Sequence, residues 1–153
     1  EYLKINNFNF NANIYGGIQG DLYEKNNERL LPLKEVVFHG FKTDLKQAYR
    51  EADIYVLFSR SETFGLTYLE AMSQGLPIIC LDLVELKNLI PNDNILVKDI
   101  EEAYLKLQEI LNIKTYEYIS QINTKRSQEY FYDDKMKELH LIYEKSHKKI
   151  GGV

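Results

Sequence analysis

Ser59-Arg60-Ser61-Glu62-Thr63-Phe64-Gly65-Leu66-Thr67-Tyr68-Leu69-Glu70-Ala71-Met72 follows directly on the apolar, β-branched run Ile54–Ser59, and it ends in residues with helical spacing. A strand that passes through a short polar loop into a helix is the βα unit from which parallel sheets are assembled. Further strand-like runs occur at Phe8–Tyr15, Val36–His39, Pro77–Leu81 and Ile95–Val97. Several lack period-2 alternation, the pattern of strands covered on both faces. Helical signals fill the gaps. Thr43 stands as an N-cap for a helix over 44–52, and Gly75-Leu76-Pro77 stops the helix that begins near Phe64. Ile100, Ala103, Tyr104, Leu107 and Leu111 share one helical face, and Met136, Leu139 and Tyr143 another, so the chain closes in a helical tail. The expected fold is α/β, a doubly wound, Rossmann-like parallel sheet. Ligands of such sheets bind beyond the carboxyl ends of the strands, so the βα loops are where chemistry is to be sought.

Composition narrows the class. With 153 residues, 44% of them hydrophobic and 27% charged, the chain has the make-up of one globular domain. A net charge of -4 argues against coating nucleic acid, which requires many cations to neutralise phosphates. Cys80, the single cysteine, lies in the apolar run PIICL and reads as a buried strand thiol, consistent with a reducing compartment. No apolar stretch approaches the roughly 20 residues of a membrane-spanning helix, and the start EYLKINNF has neither the charge nor the apolar segment of a signal peptide. The expected location is the cytoplasm, with peripheral attachment of the full-length protein to the inner face of a membrane as a further expectation.

The loop quoted above carries two carboxylates eight residues apart, Glu62 before the helix and Glu70 within it. Between them Gly65, without a Cβ, stands where a helix N-terminus presents unpaired amides and partial positive charge, the physics of a phosphate seat. A carboxylate accepts hydrogen bonds from two vicinal hydroxyls, so Glu70 suits a ribose, Glu62 a hexose, and the amides between them a diphosphate. Taken alone, Glu62 reads first as an acid that favours the helix dipole and Glu70 as a solvated helix residue. Arg60 is the one cation inside the motif.

The string as a whole resembles the "group 1" family of retaining GT-B glycosyltransferases. The resemblance rests on ETFGLTYLEAM followed by SQGLPIICLD, on Val37-Phe38-His39-Gly40-Phe41, Asp44-Leu45 and Ala52–Ser59 upstream, and on Phe131-Tyr132-Asp133 and Leu141–Glu144 downstream. It implies that residues 1–153 form a single C-terminal donor-binding domain. The first βα unit and the N-terminal acceptor lobe of such enzymes would lie outside it. It implies further that Glu62 is the catalytic contact to the donor sugar and that Phe64, Gly65 and Leu66 meet the diphosphate or sugar. Glu70 would bind the ribose, Gly16 and Gly17 would form the glycine turn near the phosphates, and His39, Gly40 and Phe41 would pass the base. Implied with these are a nucleoside diphosphate sugar, UDP-linked, as substrate, no metal or other cofactor, and a glycan or lipid acceptor in cell-surface synthesis. One departure stands out: the family's glycine pair and further glutamate are replaced by Leu83-Val84-Glu85-Leu86-Lys87-Asn88, with Asn88 in the place of the glutamate. Two rival readings share the architecture, an inactive GT-B-like lobe that binds a partner and an epimerase or phosphorylase relative. A receiver domain is discounted because Asp53 begins a strand instead of ending one.

Overall fold

A computed structural model describes residues 2–16, 33–91 and 94–130. Gly17 and the tail positions named above, from Phe131 onward, lie outside the described residues. Two compact units divide between Ala48 and Tyr49.

The first unit holds helix α1 (Tyr2–Ile5) and two parallel strands, β1 (Ala12–Tyr15) and β2 (Val36–Gly40). Ala12 pairs with Val36 and Ile14 with Phe38, and a register shift follows at Tyr15. At that shift the Gly16 amide donates to the Gly40 carbonyl at 2.9 Å. Helix α2 (Lys46–Glu51) begins later than the sequence suggested. Asp44, not Thr43, supplies the starting bond: its carboxylate accepts from the Lys46 amide at 2.9 Å, a shorter reach from two residues upstream.

The second unit carries the parallel sheet β3 (Tyr55–Leu57), β4 (Ile78–Leu81) and β5 (Ile95–Val97) in that order. Tyr55 is in register with Ile78, and Ile79 with Ile95. Helix α3 (Leu66–Ser73) follows β3, a single 3₁₀ turn (Val84–Leu86) follows β4, and α4 (Ile100–Ile110) and α5 (Ile113–Gln128) follow β5. Parallel strands alternating with helices are what the sequence predicts, and all five strands fall where it put them. The expectation of strands covered on both faces holds for the central one: Ile78, Ile79 and Cys80 are buried, whereas Val56 on β3 is 51% exposed and Val37 on β2 is 48% exposed.

Helix α3 ends in a Schellman arrangement. Gly75, with φ +76°, donates to the Met72 carbonyl and the Leu76 amide to that of Ala71. A Cβ on Gly75 would fall 2.5 Å from Ser120 Oγ, so this glycine also allows α5 to approach. Helix α4 is capped by Asp99, whose side chain accepts from the Glu102 amide at 2.8 Å. Its buried face is Ala103, Leu107 and Ile110; Ile100 and Leu111, placed on that face by spacing, are 54% and 55% exposed. They flank the helix as its first residue and its C-cap, where the chain turns away from the sheet.

Helix α5 was not legible, because its buried stripe is Ile119, Asn123 and Ser127 instead of an apolar row. Asn123 is fully buried. Its amide nitrogen donates to the Leu76 carbonyl at 2.7 Å and to Asn94 Oδ1 at 2.8 Å. Asn94 donates back to Asn123 Oδ1 at 2.6 Å, and its own oxygen accepts from the Ile78 amide at 2.8 Å. One amide pair thus ties α5 to the start of β4 and the approach to β5. Among the described residues no buried side-chain polar atom lacks a partner.

Replacing Asn123 with Ala leaves the Leu76 carbonyl and one Asn94 amide hydrogen without partners, the other Asn94 bond, to the Pro91 carbonyl, remaining, so we expect a loss of about 2–3 kcal/mol in urea unfolding, from groups at about 1–3 kcal/mol each; a loss under about 1 kcal/mol would show the pair to be incidental. Gly75→Ala should cost about 1–2 kcal/mol for its left-handed backbone, plus the clash with Ser120. Adding Ser120→Ala should restore only the steric part, and full recovery would refute the backbone assignment. Burial pushes the Cys80 thiol up to about 12, with Asp82 adding to the shift. The folded state therefore holds this proton more tightly than the unfolded chain, so the stabilisation is complete below the unfolded value near 8.5 and declines as pH climbs toward 12. Between about pH 9 and 10 wild type should lose stability at up to about 1.4 kcal/mol per pH unit, and Cys80→Ala should be flatter over the same interval.

Candidate functional site

The loop from β3 to α3 is organised by Gly65, the N-cap of α3, at φ 82° and ψ 40°. A Cβ there would fall 2.6 Å from Leu89 Cδ2, 3.1 Å from Tyr68 Cδ2 and 3.5 Å from Leu86 Cδ2. Both backbone and space therefore require glycine. The Gly65 carbonyl accepts from Tyr68 and Leu69. No side chain caps the helix, whose first internal bonds begin at the Tyr68 amide, so the amides ahead of it have no capping side chain. The helix starts at Leu66, two residues after the position read from sequence, because the left-handed turn at Gly65 breaks the helical path.

Glu62 and Glu70 flank this helix start. Glu62 is half-buried, and its Oε1 accepts from the Thr63 amide at 2.9 Å. Glu70 lies on an exposed position of α3, and its Oε2 accepts from the Tyr49 hydroxyl at 3.0 Å. Tyr55 reports on both. Burial is the main reason its phenol titrates above the ordinary tyrosine value, a hydrogen bond with the Thr67 side chain opposes the shift, and the charges of Glu62 and Glu70 each add to it. Both carboxylates thus lie within electrostatic range of this phenol.

The aromatic layer beneath them is continuous. Tyr49 packs on Tyr55 with centroids 5.9 Å apart, and Tyr55 meets Tyr68 edge-on at 5.6 Å. The Tyr68 hydroxyl donates to the Leu57 carbonyl at 3.2 Å, anchoring the layer to β3. Around the helix start, Phe64 is 55% and Leu66 64% exposed, and the Phe64 ring meets Tyr130 edge-on at 6.3 Å. Arg60 is exposed.

The divergent loop after β4 is held from outside. Leu86 and Leu89 are buried over Gly65. The Asn88 carbonyl accepts from Arg126 and from the Tyr130 hydroxyl, and the Leu89 carbonyl accepts from Arg126 Nε at 3.3 Å. Beside this clamp an open groove of about 570 Å³ is lined by Lys87, Pro91, Ile122, Lys125 and Glu129 among others, and it shares none of the residues assigned to the donor from sequence. Tyr49 went unnoticed in the sequence, since a hydrogen bond across 21 residues has no local signature.

The remaining assigned residues gather within the first unit. Gly16 (φ +148°) and Gly40 (φ +65°) are joined by their backbone bond, with open space where a Cβ would stand on either. His39 stacks on Tyr15 with centroids 4.5 Å apart and lies 2.8 Å, through Nε2, from Asn13 Oδ1. Its ring is therefore committed to its own strand pair. Phe41 is 74% exposed.

Comparison with known proteins places this geometry. The family described as "Glycosyl transferases group 1" matches residues 3–112. Sulfoquinovosyl transferase SQD2 of Arabidopsis thaliana is 32% identical over 118 residues, which are 71% of this chain and 23% of that protein. Among solved structures, sucrose-phosphate synthase from Thermosynechococcus elongatus agrees with a TM-score of 0.76 at 23% identity, over 90% of this chain and 38% of that one. Anabaena Alr3699/HepE, solved in complex with UDP, gives 0.76 at 18% identity, over 90% and 41%. These structural likenesses establish a common fold, that of a GT-B Rossmann-like lobe, and the chain spans about a quarter of the length of the Arabidopsis relative. With the family match running from residue 3 through the βα loop and both carboxylates to residue 112, the chain belongs to the glycosyl transferases group 1.

Proposed function

We propose that this chain is the donor lobe of a retaining glycosyltransferase that passes a sugar from a UDP-sugar to an acceptor in cell-surface glycan or glycolipid synthesis. The observation that carries the reading is the uncapped start of α3 at Gly65, flanked by Glu62 and Glu70. Departure of a nucleoside diphosphate develops negative charge, and amides fixed in advance at a helix N-terminus oppose that charge without reorganising. Glu62 then orients and polarises the sugar, Glu70 receives the ribose hydroxyls, and the leaving phosphate takes the acceptor proton. In this reading the helix amides take the part a metal ion plays elsewhere. Support for the uridine nucleotide comes from the fold shared with Alr3699/HepE, whose structure holds UDP. Support for a sugar as the transferred group comes from kinship with a sulfoquinovosyl transferase. Retention of configuration rests on the family resemblance of ETFGLTYLEAM. A cytoplasmic site of action, with the whole protein resting on a membrane surface, fits such an acceptor; no helix among the described residues is long and apolar enough to cross one.

A second reading, an inactive lobe that serves as a partner-binding module, is favoured by one observation: the loop from Leu83 to Asn88 lacks glycines, and Arg126 and Tyr130 occupy its Asn88 carbonyl. Titration calorimetry separates the two. UDP should bind the wild-type protein, and Glu70→Ala should weaken it by about 10–100-fold, the worth of a charge-assisted pair of hydrogen bonds at about 1.4–2.8 kcal/mol. In the full-length protein, Glu62→Gln should leave UDP affinity within about threefold while lowering transfer from UDP-sugar by at least about 100-fold, as expected for a group acting on the sugar. A wild-type protein that binds neither UDP nor GDP would favour the inactive lobe.

A further inference from the structure

Glu70 stands on an exposed position of α3, where an unrestrained glutamate samples many rotamers, yet its Oε2 is held at 3.0 Å by the hydroxyl of Tyr49. Tyr49 itself is only 8% exposed. Its ring lies against Tyr55, Tyr55 against the fully buried Tyr68, and the Tyr68 hydroxyl is bonded to the Leu57 carbonyl of β3. The three rings form a rigid strut from the sheet to one carboxylate oxygen. We propose that Tyr49 is a positioning residue for donor binding, holding Glu70 in the one orientation that turns its free oxygen, Oε1, toward the ribose hydroxyls.

The inference rests on the donor-site reading of Glu70 and adds to it a residue that never touches the nucleotide. Ordering of Glu70 before the ligand arrives removes a cost otherwise met on binding. The phenol is a dependable donor. Burial first, and the Glu70 bond second, push its titration above the ordinary tyrosine value, so its proton stays in place at neutral pH. The ring and the hydroxyl have separable tasks, because the ring packs on Tyr55 and only the hydroxyl meets Glu70. Tyr49→Phe therefore keeps the packing and removes the restraint.

The test is a cycle of two proteins and two ligands. UDP and 2′,3′-dideoxyuridine diphosphate are titrated into wild type and Tyr49→Phe, with thermal melting as a check on packing. We expect Tyr49→Phe to bind UDP about 5–10-fold more weakly, and to bind the dideoxy nucleotide as wild type does, because no hydroxyl remains for Glu70 to receive. In a Glu70→Ala background, Tyr49→Phe should cause no further loss. Equal weakening of both nucleotides, additive losses in the double variant, or an unchanged UDP affinity would each overturn the role of Tyr49 while leaving the donor site standing. Failure of wild type to bind UDP would bring down the donor-site reading, and this inference with it.

Discussion

A left-handed residue at position 65 sets the geometry on which the site depends. Its φ of 82° turns the chain leaving β3 sharply into α3, and the space over it is filled by Leu86 and Leu89. A side chain at 65 would both strain the backbone and lift the loop away. Because the turn is made by backbone alone, no hydroxyl or carboxylate is spent on capping the helix. The first amides therefore have no side-chain cap, with Glu62 ahead of them in the chain and Glu70 one turn further along the helix.

Polar groups carry an unusual share of the organisation in the second unit. Sheet and α3 bury an apolar core of Tyr68, Met72, Ile78 and Val97, yet the stripe by which α5 docks is largely amide and hydroxyl. Asn94 and Asn123 satisfy each other together with an amide and a carbonyl at the start of β4. Such a pair contributes little by transfer from water, but any slipped arrangement leaves buried donors unpaired, and this fixes the register of helix on sheet. Arg126 extends the same logic to the surface, where it spans the Asn88 and Leu89 carbonyls and the Glu129 carboxylate.

These features explain what the sequence disclosed and what it withheld. Strands were legible at all five positions because β-branched, apolar runs bounded by polar or glycine residues have few other uses. The α3 stop was legible because Gly75-Leu76-Pro77 is itself the C-terminal device. Helix α5 was not, since Asn123 and Ser127 sit at the positions where periodicity looks for hydrophobic groups. Asp44 displaced Thr43 as the residue that starts α2, a choice between two neighbouring side chains that spacing alone does not make. At the site, Glu62, Gly65 and Glu70 were visible as a local string, and their flanking of one helix start follows from the chain itself. Tyr49 was invisible for the opposite reason: its partner lies on another helix, and only the fold brings its hydroxyl next to that carboxylate.

The amide pair has a consequence for how the protein is made. Asn94 leaves the ribosome 29 residues before Asn123, so during synthesis the Leu76 carbonyl and one Asn94 amide hydrogen wait unmatched at the head of β4 until α5 emerges. Closure of the seam beside β4 is thereby deferred to the last described helix, and a nascent chain paused between those two asparagines exposes an unfinished surface of the kind that chaperones shield.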